Sequence, residues 1–115
     1  MFHRPTPEEF QALYHQHQLW LHDVPGGVCL RIMGSNMKGY DLSGLNLSGA
    51  HLSGTDFTWA NLAGTKLDNA WLTAAKFNHA DLTGASFRNA HCAFISYESA
   101  KLGNADFTGA FLRSA

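Results

Sequence analysis

The chain has 115 residues, about one domain on the usual size scale. Only 15% of them are charged and the formal net charge is −1, so neither a strongly basic nor a strongly acidic partner is implied. No basic stripe of the kind a nucleic-acid binder uses is present, and direct nucleic-acid binding is not expected.

The first residues, Met1 to Phe10, place prolines and acids where a secretory leader needs an apolar stretch. No apolar run approaches the roughly 18 residues that span a bilayer. The expectation is a cytoplasmic protein without membrane contact. In that compartment a disulfide between the distant Cys29 and Cys92 is disfavoured.

Thr6-Pro7-Glu8-Glu9 is a capping box with proline at the first helical position, and it predicts a helix start. Phe10, Leu13, Tyr14, His17, Trp20 and Leu21 follow at helical spacing, and Val24-Pro25-Gly26-Gly27 predicts the stop. Val28 to Met33 then reads as a first strand. Residues 1–29 are expected to form a helical cap and turn, with Trp20 and Leu21 packed against Ile32 and Met37.

From Leu30 the chain divides into fives without insertion: LRIMG, SNMKG, YDLSG, LNLSG and so on through seventeen units to Ser114. The third place is Leu or Phe in thirteen units, and the first is Ala in ten. Neither a helix period of 3.6 nor a strand period of 2 gives a period of five. One large and one small inward residue per unit fills an axis evenly, and Gly at many fifth places permits a tight turn.

The units resemble the pentapeptide-repeat motif A(D/N)LXX over residues 30–114. That resemblance implies an all-β solenoid, a right-handed quadrilateral β-helix, in which four units make one coil. Residues 30–115 would form about four coils, stacked about 4.8 Å apart. The His17, Trp20, Leu21 and Gly-Gly sequence before the repeats is similar to small members carried by phages and prophages.

With four units per coil, residues twenty apart share a column. The expected inner columns are Leu42, Leu62, Leu82 and Leu102; Leu47, Leu67, Phe87 and Phe107; Ile32, Leu52, Leu72, Cys92 and Leu112; and Met37, Phe57, Phe77 and Tyr97. The stretch 91–97 departs most from the motif. There Ile95 compensates the volume lost at Cys92, with a recognition feature around Phe94 as the alternative.

No catalytic, cofactor or metal site is expected. Seven histidines are present, but His51 and His91 lie two coils apart with Trp71 between them, too far to share a zinc ion. His91 points outward where Cys92 points inward, so they form no nucleophile–base pair.

The outer column Arg31, His51, Trp71, His91 and Phe111 alone gathers aromatic residues at the second place of a side. It reads as either a binding face for a protein partner or a ring ladder that shields the backbone. Trp59 and His79 add a shorter outer pair at a corner.

Two functions fit: a non-catalytic interaction or structural module, and a DNA-mimicking protein directed at gyrase or another topoisomerase, as the family resemblance implies for some members. From Tyr40 onward six acids face five bases, far from the charge of a duplex of similar length. Phe107, Phe111 and Leu112 in the final partial coil are the candidate surface for an end-to-end homodimer, with a frayed monomer as the alternative.

Overall fold

The computed structural model describes residues 3–113. Helix α1 runs Pro7–Leu21 with Thr6 as its N-cap. Thr6 Oγ1 accepts from the Glu9 N–H at 3.1 Å, and Glu9 Oε1 accepts from the Thr6 N–H at 2.8 Å. The capping box thus satisfies two donors that a helix start leaves free. The chain leaves the helix through Asp23 and Gly26, both at positive φ.

After the helix the chain repeats one short element. Twelve isolated parallel bridges link residue i to i+20, all at the second place of a unit, as in Asp41↔Asn61↔Asp81↔Lys101. The longest pairing joins β1 (His91–Ala93) to β2 (Phe111–Arg113), also parallel and also offset by twenty. The expected strand over 28–33 is reduced to one bridge at Arg31, because a side holds only about three extended residues between turns.

Hydrogen bonding accounts for this economy. The third-place N–H donates to the next coil, as Leu52 does to Trp71 O at 2.8 Å. The second-place N–H donates to the previous coil, as His51 does to Leu30 O at 2.9 Å. The first-place N–H closes a turn onto the preceding third-place carbonyl, as Ala60 does to Phe57 at 2.9 Å.

Each turn places the fifth residue at positive φ, from Gly34 through Gly109 without exception. Half of these corners are glycine. The others are Trp59, Asn69, Ala74, His79, Asn89, Phe94, Ser99 and Asn104, held at φ of 59–64°. A non-glycine residue there costs roughly 1–2 kcal/mol.

The four inner columns are buried where coils lie on both sides. Phe57 and Phe77 stack 5.2 Å apart, Phe77 meets Phe87 edge-on, and Phe87 stacks on Phe107 at 4.5 Å. First-place alanines from Ala50 to Ala90 fill the space between. Thr55 and Thr65, inward at the same place, donate their hydroxyls to Ile32 O and Leu42 O, so the buried oxygens are satisfied.

The last rung corrects the expected columns. Tyr97, Leu102 and Leu112 are exposed and Phe107 is only partly buried, since no described coil covers their outer side. Cys92 is buried and Ile95 packs partly against the core, in keeping with the compensated exchange. Tyr97 turns toward water instead of seeking a buried partner.

Helix α1 lies against the first coil, but through other residues than expected. Phe10 and His17 are buried, and Leu13 and Tyr14 pack on the core. Trp20 is partly exposed and lies by Gly49, stacking on His17 at 5.2 Å, while Leu21 is not among the residues packed on the core. Trp20 and Leu21 are therefore not the residues that enter the core; Phe10 and His17, from the same helix, are.

Candidate interaction face

The side that begins with the unit 30–34 carries the outer column singled out by the sequence. Arg31, His51, Trp71, His91 and Phe111 are joined in that order by parallel pairing, so the structure brings all five into one line. The bridges fix the spacing between coils, and the alternation of places turns these side chains outward while Ile32, Leu52, Leu72 and Cys92 turn inward.

Their rings form a ladder. His51 lies 5.8 Å from Trp71, and His91 lies 3.8 Å from it with planes 5° apart. The Trp71 indole therefore has a ring on each face, His91 close and parallel and His51 farther off and tilted. The ring is nonetheless 43% exposed, so water reaches its edge. Phe111 at 64% is freer still, and Phe94 occupies the corner of the same side at φ 60°.

Burial, followed by the nearby Arg31 charge, lowers the pKa of His51, so it is neutral at pH 7. No acid occupies the outward places of this side: the fourth places read Met33, Ser53, Thr73, Ala93 and Arg113. The other sides mix signs, and among the described residues the ion pairs Lys38–Asp56 and Arg88–Asp106 lie there.

Trp59 and His79 stack at 4.4 Å on a different corner, with Trp59 67% exposed. They do not join the Trp71 column. The candidate end residues Phe107, Phe111 and Leu112 lie on the last coil, where Phe107 and Leu112 line an open recess of about 190 Å³ with Ile95, Tyr97 and Leu102.

Sequence reasoning missed the role of second-place Asp and Asn. Asp41, Asn46, Asp56, Asn61, Asp81 and Asp106 each accept from the backbone N–H two residues on, at 2.9–3.1 Å. The hydroxyls of Ser43, Thr83 and Thr108 first, and then these N–H bonds, hold the Asp41, Asp81 and Asp106 carboxyls below their ordinary value. The signal was present in the D/N preference of the motif. Also missed was Arg4, which donates to Asn36 Oδ1 and Lys38 O and lies over the Tyr40 ring, while Tyr40 donates its hydroxyl to Pro5 O.

The described residues contain no group of three His, Cys, Asp or Glu placed to hold a metal ion. Both cysteines are free, and burial raises the Cys92 thiol to about 11, which keeps it protonated. No helix among the described residues is long and apolar enough to cross a membrane.

Five-residue sides closed by pairing at i+20 define a repeat protein of the right-handed quadrilateral β-helix class. Solved structures share that architecture. A pentapeptide repeat protein from Nostoc PCC 7120, alr5209, superposes with a TM-score of 0.73 at 21% identity, covering 91% of this chain and 77% of that one. The chain belongs to the pentapeptide-repeat family: the model described as Pentapeptide repeats matches eight copies over residues 41–78 and 60–95.

QnrB1, a plasmid-mediated fluoroquinolone resistance protein, is similar at 28% identity with a TM-score of 0.55. HetL, involved in heterocyst differentiation regulation in the cyanobacterium Nostoc sp. strain PCC 7120, is similar at 25% identity with a TM-score of 0.51. Each likeness covers 71% of this chain but under half of the other, 47% and 46%. No curated protein matches the sequence.

Proposed function

We propose that this protein is a non-catalytic interaction module, in which a rod of slightly over four coils presents its Trp71 side to a protein partner. Residues 1–29 act as the cap of one end and residues 30–115 as the rod. One observation carries the reading: the Arg31, His51, Trp71, His91 and Phe111 column leaves aromatic surface in water on a side without acids. A ladder serving only to shield the backbone has no need of an exposed Trp edge or of Phe111. Trp and Arg together are the mixture enriched at interface hot spots. Among the described residues the interior is filled by its own side chains.

Replacing Trp71 by Ser tests this reading. The far-ultraviolet spectrum should be unchanged and the melting temperature nearly so, while capture of a cross-linked partner from host lysate falls at least tenfold. Undiminished capture would reduce the column to a packed ladder.

A second reading, action on gyrase or another topoisomerase by DNA mimicry, is favoured by the likeness to a fluoroquinolone resistance protein. Charge weighs against it. The acids and bases from Tyr40 onward nearly cancel, and most second-place Asp side chains bond back to their own turns instead of forming a phosphate-like row. A supercoiling assay separates the two, since inhibition at low protein excess belongs only to the mimic.

End-to-end pairing of two copies through Phe107, Phe111 and Leu112 is compatible with either reading and is supported by the exposed apolar rung. Light scattering tests it, with a double Phe111→Asp and Leu112→Asp variant expected to remain at one-chain mass.

A further inference from the structure

We propose that the Trp71 side binds an extended acidic segment of its partner, an assignment that rests on the interaction reading above and names the partner's chemistry. From Arg31 to Phe111 the column takes four coil steps, about 19 Å, and one side is about three extended residues, or 10 Å, wide. That strip, on the order of 200 Å², is far below the roughly 800 Å² per partner of a standard protein–protein interface. It matches about six residues of extended chain at about 3.3 Å each.

The chemistry of the strip selects the sign of that chain. Arg31 stands at one end and Arg113 at the other, each exposed, and among the described residues neither has an ion pair. The outward places between them hold no acid. Trp71 has a ring on each face, His91 close and His51 farther off, so what remains exposed is its rim. An aromatic rim carries the positive end of the ring quadrupole, and the indole N–H is a donor without acceptor capacity. Two guanidinium groups and a row of ring edges thus all seek negative charge.

The same geometry disfavours single-stranded nucleic acid. Bases bind by stacking on open aromatic faces, and the indole faces here are already occupied by the imidazoles. Phe111 and Phe94 supply apolar ground beside the donors, which suits aromatic residues interspersed among the acids.

The test uses the full chain, ¹⁵N-labelled, titrated with an acetylated seven-residue peptide of alternating glutamate and phenylalanine. Its glutamine analogue and a single-stranded oligothymidylate run in parallel. The indole N–H resonances of Trp20, Trp59 and Trp71 separate the sites, with Trp71→Ser fixing the assignment. The expected result is a saturable shift of the Trp71 signal by the acidic peptide alone, with at least tenfold weaker binding by the glutamine analogue and by the Arg31→Glu variant.

A glutamine peptide that shifts Trp71 equally, or an oligothymidylate that binds more tightly, overturns the acidic assignment while leaving the face in place. An unmoved Trp71 signal overturns it too. If partner capture also proves indifferent to Trp71→Ser, the interaction reading falls with it.

Discussion

The Nδ1 of buried His17 accepts a hydrogen bond from the Leu30 N–H at 2.9 Å, while Nε2 donates to Ser48 O at 2.8 Å. One neutral imidazole thereby joins helix α1 to the first residue of the repeat frame and to a turn of the first coil. Both nitrogens are committed to one tautomer. A second proton on Nδ1 would face the Leu30 donor with another donor.

Burial lowers the His17 pKa below the ordinary 6.5, with the Ser48 bond opposing it less strongly. The unfolded chain therefore binds the proton more readily. Helix docking is complete above about pH 6.5 and weakens as pH falls toward the folded value. Between pH 7.5 and 5.0 the Leu30 amide should lose exchange protection, after correction for intrinsic rates. The Leu62 amide, bonded to Asp81 O, should not. Parallel behaviour of the two amides would exclude this role for His17.

Leu72 is fully buried at mid-rod, whereas Asn61 is exposed and its side chain accepts from the Ala63 N–H. Leu72→Ala should cost roughly 2–5 kcal/mol. Asn61→Ala should cost less than half as much in the same chemical denaturation. Equal losses would contradict the inward assignment of the third place.

The corners offer a paired experiment on backbone strain. A Cβ on Gly64 meets nothing within 4 Å, so Gly64→Ala should destabilise through its positive φ alone, by about 1 kcal/mol. Trp59→Gly removes the same strain from an exposed ring and should leave stability level or higher, despite losing the His79 stack. A large loss on Trp59→Gly in thermal melts would make that stack a structural element.

Second-place carboxylates should matter as acceptors, not as charges. Asp81→Asn keeps an oxygen for the Thr83 N–H and should melt within about 1 °C of wild type, whereas Asp81→Ala should melt about 2–4 °C lower. The Thr83 hydroxyl, followed by its N–H, lowers the Asp81 pKa, so the stabilisation is present above the unfolded carboxylate value near 3.9 and disappears as pH falls below it. Indistinguishable Asn and Ala variants would rule out the bond.

The repeat frame, the inner columns as far as the last rung and the helix start were legible in the sequence, because burial alternates within each five and Thr6 to Glu9 is a local signature. The conformation of the fifth place was half visible: Gly announces a left-handed turn, but Trp59, Ala74 and Phe94 do not. The contacts of helix α1 were not legible. His17 finds Ser48 across 31 residues, and periodicity specifies a face without saying which residue on it will enter the neighbour. The aromatic column was readable once four units per coil were assumed. Its stacking, which hides the ring faces and leaves the rims, required three dimensions.

Pairing at i+20 gives the molecule two different units of length. Deleting one five-residue unit keeps every large residue inward and every turn intact, yet it moves all later units one side around the rod. His51 would then pair with Lys76, and the ring ladder would be dismantled in a chain that still folds. Deleting twenty residues restores each column. The architecture therefore counts in fives, but the Trp71 side counts only in twenties.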